Sequence, residues 1–157
     1  MREGLARATG DYCIIQDADL EYDLEEIPLL LAATTLDERT VVYGSRNLRP
    51  RERAGAFVPR AGVWVITKLI NVLYRTRLTD VWTCYKLFPR AASDAFVAGR
   101  FESELLFTTT LARRGYRFVE VPISYHPRKT GEGKKIRYRD GMYAIFVILK
   151  DWLGGLA

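Results

Sequence analysis

A short apolar run that ends on two carboxylates constrains this chain more than any other feature. Residues 12–16 (YCIIQ) are bounded upstream by Gly10-Asp11 and pass directly into Asp17-Ala18-Asp19. A run of that length, with β-branched residues at its centre, reads as a buried strand. In an open α/β sheet, ligands sit outside the carboxyl ends of the strands. Two carboxylates one residue apart at such an end can both reach one hard cation, with Glu21 as a candidate third oxygen donor. Mg2+ or Mn2+ would keep some waters there and take its remaining ligands from a diphosphate. The plainer alternative is an acidic turn that caps the next helix.

Around that strand the chain alternates helical and extended patterns. Residues 3–8 read as the end of a helix stopped at Gly10. Asp23 with Glu26 three residues on makes a capping box, which predicts a helix over residues 24–34 with Pro28 near its first turn. Residues 41–43 form a second strand closed by Gly44. Residues 45–60 carry five arginines, two prolines and no periodicity, the texture of a mobile basic loop. Residues 62–74 are apolar on nearly all sides and read as a buried or membrane-apposed helix. A strand over 85–88, a short helix over 90–97, a helix over 102–114 ended by Gly115 and a strand over 117–121 follow. A second basic loop covers residues 126–139, and Asp140 caps a last helix to about residue 153, stopped by Gly154-Gly155. Strands alternating with helices imply an α/β sandwich with a mostly parallel sheet. The reading divides the chain into residues 1–139 and a terminal amphipathic helix over 140–157.

Charge is divided along the chain. Residues 1–30 hold eight acids against two arginines, a balance of −6, so the net +5 leaves +11 on the remainder. An acidic focus facing basic loops suits a metal ion beside phosphates. Nucleic acid would need a continuous basic face, and no aromatic-basic RNA motif occurs. Two cysteines, Cys13 and Cys84, form no disulfide framework, and a reducing, cytoplasmic setting is the simpler reading. His126, the only histidine, reads as structural, and Cys13 as core packing. Trp64, Trp82 and Trp152 fit core or interfacial positions as well as they fit sugar platforms.

Five motifs in order carry a family resemblance. They are Gly10-Asp11-Tyr12 through Asp17-Ala18-Asp19-Leu20, Tyr43-Gly44-Ser45-Arg46, and Thr79-Asp80-Val81-Trp82-Thr83-Cys84-Tyr85-Lys86-Leu87-Phe88. Glu120-Val121-Pro122-Ile123-Ser124-Tyr125 and Gly131-Glu132-Gly133-Lys134-Lys135 complete the set. Together they resemble the polyprenyl-phosphate glycosyltransferases of the dolichyl-phosphate mannose synthase type, over nearly the whole chain. The resemblance implies a Rossmann-like A-type glycosyltransferase fold. It also implies inverting, metal-dependent transfer from a nucleotide-sugar donor to a polyprenyl-phosphate lipid acceptor.

Residue roles follow from the same resemblance. Asp17 and Asp19 match the metal-binding aspartates, with Glu21 at an auxiliary position and Mg2+ or Mn2+ as the ion. Arg46 and Arg60 match arginines expected to hold the lipid phosphate. Arg128 and Lys134 match a basic pair that would contact donor diphosphate or acceptor phosphate. Asp80 falls close to the reacting centre, where it orients the sugar or a cation, or merely caps the structure. Where many relatives have glycine, this chain has Cys84. Relatives open with a strand–helix–strand unit that carries the nucleotide base, so about 70–90 residues are expected upstream of Met1. The alternative function is a fold-retaining remnant or binding module without turnover. The implied setting is peripheral, at the inner face of a membrane. There the final helix is either interfacial, through Met142, Tyr143, Ile145, Phe146 and Leu149, or ordinary core.

Overall fold

The structure is a computed structural model that describes residues 2–18, 21–34, 37–49, 57–96, 102–126 and 138–154, the residues 57–60, 138 and 139 by their backbone only. The elements in order are α1 (Arg2–Arg7), β1 (Tyr12–Ile15), a 3-10 turn (Leu24–Glu26), α2 (Ile27–Ala32), β2 (Thr40–Ser45) and α3 (Phe57–Tyr74). After these come β3 (Lys86–Pro89), a 3-10 helix (Arg90–Ala95), α4 (Glu102–Arg113), β4 (Arg117–Pro122) and α5 (Tyr138–Gly154).

The four strands form one sheet in the order β1-β3-β2-β4. β4 lies parallel to β2, with Val42 opposite Val119 and Gly44 opposite Val121. β3 runs antiparallel to both of its neighbours, pairing Cys13 with Phe88 and Val42 with Leu87. Three of the four strands therefore share one direction, and β3 is threaded between two of them in reverse. That reversal makes the sheet mixed, which hydropathy does not reveal, because a strand buried on both faces reads the same in either direction.

Side chains alternate across the sheet and divide the core into two layers. Cys13, Ile15, Val41, Tyr43 and Phe88 face α3, α4 and α5, together with Ile70, Phe107, Leu111 and Ile148. Val42, Leu87, Val121 and Ile123 face the other way, onto Leu30 of α2 and the Tyr22 and Tyr85 rings. Gly44 sits where the second layer is tightest. A Cβ there would lie 2.8 Å from Ile123 Cδ1 and 3.0 Å from Tyr85 Cβ, closer than packed carbons approach.

Several element boundaries differ from the sequence reading for identifiable reasons. Asp23 does cap, its carboxylate accepting the Glu25 amide at 2.9 Å, but the other half of the capping box is absent. Glu26 is drawn away to the Ser124 amide and hydroxyl, and the first turn tightens to 3-10 before α2 begins. α3 starts at Phe57, inside the stretch read as a basic loop. α5 starts at Tyr138, so Asp140 lies within its first turn and is not its cap. α4 closes as expected on Gly115 at φ +76°, with the Gly115 and Tyr116 amides bonded back to Ala112 and Leu111.

Candidate functional site

The strand directions decide where the chemistry gathers. β1, β2 and β4 end on the same side of the sheet, and antiparallel β3 begins there. The segments 16–18, 45–49, 79–85 and 122–126 are therefore neighbours at one edge. Asp17 is exposed just beyond β1. Cys84 lies beside it. Burial pushes that thiol well above its ordinary range, and the Glu104 and Asp17 carboxylates reinforce the shift.

Asp80 and Arg46 are joined more closely than any spacing argument indicates. Asp80 is fully buried. Its Oδ2 accepts Arg46 Nε–H at 2.7 Å and its Oδ1 accepts Arg46 Nη2–H at 2.8 Å, a bidentate pair. The Arg46 amide adds a third bond to Oδ2 at 3.2 Å. Burial works against the guanidinium charge, but the hydrogen bonds and charge of Asp80 outweigh it and raise the Arg46 pKa above its ordinary value. The Arg46 guanidinium also lies 5.0 Å from the centre of the Tyr125 ring, a cation–π contact. Two of its five N–H donors serve Asp80, which leaves three for a ligand.

The loop that carries Asp80 is held from both ends. Arg75, in left-handed backbone at φ 55°, ends α3. Asn71 then clamps Leu78, accepting its amide at 2.9 Å and donating to its carbonyl at 2.7 Å. Thr79 is tied to β2 and the turn after it, with Ser45 Oγ 2.6 Å from its hydroxyl and Asn47 Nδ2 donating to its carbonyl at 2.8 Å. From β4, Glu120 accepts the Thr79 amide on both carboxylate oxygens, at 2.9 and 2.8 Å, and the Asp80 amide at 3.0 Å. Burial raises the Glu120 pKa, while the amide bonds oppose that rise.

The remaining expected residues divide plainly. Glu21 is buried, and its Oε2 accepts the Tyr125 hydroxyl at 2.7 Å. Its carbonyl accepts the His126 amide at 2.9 Å, which ties His126 into the fold by its backbone. Asp19, Arg128 and Lys134 lie outside the described residues, and Arg60 is placed by its backbone alone, in the first turn of α3. Among the described residues no group of three His, Cys, Asp or Glu side chains could hold a metal. An exposed Asp17 still fits Mg2+ or Mn2+, because such ions commonly take one or two carboxylates and complete their shell from waters and phosphates.

The profile of glycosyl transferase family 2 matches residues 1–96. The chain belongs to that family. This family 2 chain is 32% identical over 142 residues to the low-salt glycan biosynthesis hexosyltransferase Agl6 of Haloferax volcanii, a match covering 86% of the chain and 33% of the relative. It is 30% identical to the undecaprenyl-phosphate mannosyltransferase of Micrococcus luteus, over 85% of the chain and 56% of the relative. A third relative is the undecaprenyl-phosphate 4-deoxy-4-formamido-L-arabinose transferase of Klebsiella pneumoniae, 29% identical over 83% of the chain and 38% of the relative. The chain thus spans between 33% and 56% of the length of these curated relatives.

In this family 2 chain the sequence reading quotes Glu120, Tyr125 and Lys86 only within motifs and Glu26 only in a capping box, and gives none of them a role at the site. Lys86 is fully buried on β3, its Nζ 2.8 Å from Glu104 Oε2 and 5.5 Å from the Tyr43 ring centre. Glu26 accepts the Ser124 amide and lies 3.1 Å from Arg49 Nη2. The partners of Glu120 and Glu26 lie 40 and 98 residues away, and no local pattern announces pairs at that separation.

Proposed function

We propose that this chain carries the metal-binding and acceptor-binding part of an inverting glycosyltransferase, one that moves a sugar from a nucleotide-sugar donor to a polyprenyl phosphate. The observation that carries the reading is the Arg46–Asp80 pair at the carboxyl end of β2, with three guanidinium donors left over. An oxygen of the acceptor phosphate attacks the anomeric carbon, the bond to the donor diphosphate breaks, and a nucleoside diphosphate leaves. A phosphate acceptor is already ionised near neutral pH and needs no strong general base. Catalysis is then positioning and electrostatics. That chemistry agrees with an Asp80 whose carboxylate is engaged by Arg46, and Asp80 acts here as the anchor of the arginine. Asp17 and Asp19 would hold Mg2+ or Mn2+, which supplies charge neutralisation for the leaving diphosphate. Asp80 cancels the Arg46 charge, so further cations have to supply the net positive potential; Arg60, Arg128 and Lys134 are the residues assigned to it.

The lipid acceptor implies a membrane surface. On α3, Trp64, Val65 and Val72 are exposed, and on α5, Met142, Tyr143, Phe146, Leu149 and Leu153 are exposed. Both sets recur at helical spacing, and the two helices pack against each other. No helix among the described residues is long and apolar enough to cross a membrane. We assign these exposed apolar side chains, with the basic segments, to peripheral contact with an anionic bilayer.

The test for the metal is direct. Asp17→Asn and Asp19→Asn, each of which removes a charge at nearly constant shape, are expected to abolish donor-dependent transfer and to leave the circular dichroism spectrum unchanged. Transfer that persists in EDTA contradicts the metal assignment.

A further inference from the structure

Asp80 has no contact with solvent, so its orientation is set entirely by the chain around it. Its backbone belongs to a segment without regular structure, and amides there need partners from elsewhere. Glu120 supplies them. One carboxylate takes three N–H bonds, from Thr79 on both oxygens and from Asp80 on Oε1, all between 2.8 and 3.0 Å. Thr79 is also the residue that Ser45 and Asn47 grip, on either side of Arg46. Both halves of the ion pair are therefore referenced to the same residue, one through β2 and the other through the Glu120 carboxylate on β4.

We propose that Glu120 is a positioning residue for acceptor phosphate, acting through the Thr79 and Asp80 amides to hold Asp80, and through Asp80 to aim the free donors of Arg46. This rests on the reading of Arg46 as an acceptor-phosphate ligand. A purely structural Glu120 would close a loop and affect every ligand alike. A positioning Glu120 affects the ligand that Arg46 holds. Glu120→Gln keeps the shape but replaces one accepting oxygen with an NH2 group, which meets the loop amides donor to donor.

The experiment measures equilibrium binding of farnesyl phosphate, as a soluble polyprenyl phosphate, and of a nucleotide-sugar donor to the complete protein. The wild type is compared with Glu120→Gln, Asp80→Asn, the double variant and Arg46→Gln. The expected result for Glu120→Gln is a loss of about tenfold in farnesyl phosphate affinity, the scale of one charge-assisted contact, with donor affinity within about twofold. Because Glu120 acts through Asp80, the double variant is expected to bind no more weakly than Asp80→Asn alone, a non-additivity that a separate structural role would not produce. Should Glu120→Gln not fold, Glu120→Asp, which withdraws the charge by one methylene, carries the same expectation. Unchanged farnesyl phosphate binding in the Glu120 variant, equal losses for both ligands, or additive losses in the double variant overturn the proposal. If Arg46→Gln also leaves farnesyl phosphate binding intact, the acceptor reading itself falls.

Discussion

Burial raises the Glu120 pKa above its ordinary value, although the Thr79 and Asp80 amides stabilise its charged form. A group whose folded pKa exceeds its unfolded value, about 4.3 for glutamate, contributes stability that is complete below the unfolded pKa. That contribution is lost as pH rises through the folded pKa. Ionised Glu120 therefore costs stability at neutral pH, in a form that the site uses to orient Asp80. Glu120→Gln does not titrate, so its melting temperature relative to wild type is expected to be higher at pH 7.5 than at pH 4.5. A difference that is flat, or reversed, contradicts the burial argument. Gly44 is the other residue with a sharp expectation. Gly44→Ala forces a Cβ against Ile123 and Tyr85 Cβ and should cost about 1–3 kcal/mol in chemical denaturation. A change near zero would mean that the layer yields there without strain.

Among the elements, α5 carries both a buried face and an exposed apolar one. Ala144 and Ile148 are buried in the core, while Met142, Tyr143, Phe146 and Leu149 point outward. The buried face bears out the packing reading, and the exposed apolar face is the one proposed for contact with a bilayer. Asp151 fixes which face is which. It accepts the Tyr74 hydroxyl at 2.6 Å and the Thr109 hydroxyl at 2.9 Å, and it pairs with Arg113 from α4. Burial, with the Asp151 carboxylate adding to it, raises the Tyr74 pKa. Asp151→Ala is expected to cost about 1–3 kcal/mol, because it strips acceptors from partly buried donors on two other helices. Phe146→Ser should change stability by under about 0.5 kcal/mol and reduce sedimentation with anionic liposomes. Liposome binding unaffected by Phe146→Ser contradicts the membrane assignment of this face. Among the described residues, the hydropathy pattern placed the strands and most of the helices near where they lie, since burial on a sheet or a helix leaves a local trace. It could not place Glu26, which left its capping box for Ser124, nor the start of α5, where Tyr138 precedes the expected cap. The Glu26 outcome depends on a partner 98 residues away, and the direction of β3 is likewise set by pairing with strands distant in sequence.

For the whole molecule, the strand directions turn the linear motifs into one site. Asp17, Arg46, Asp80 and Glu120 come from four separated segments, and a mixed sheet with three co-directional strands brings them to one edge. Asp17 was legible as a candidate because it follows a recognisable strand, whereas Arg46 and Asp80 were legible only through the family resemblance of their motifs. The pairing of Arg46 with Asp80 was not legible, since nothing across a separation of 34 residues marks one as the partner of the other. The central claim is that Arg46, held by Asp80, serves the acceptor phosphate and not the donor. The most direct measurement is the KM for undecaprenyl phosphate, beside the Kd for the nucleotide-sugar donor, in Arg46→Lys, which keeps the charge but loses the planar fork. The account predicts an acceptor KM raised by about tenfold or more, with donor affinity within about twofold. Equal losses of both, or a loss confined to the donor, would contradict it.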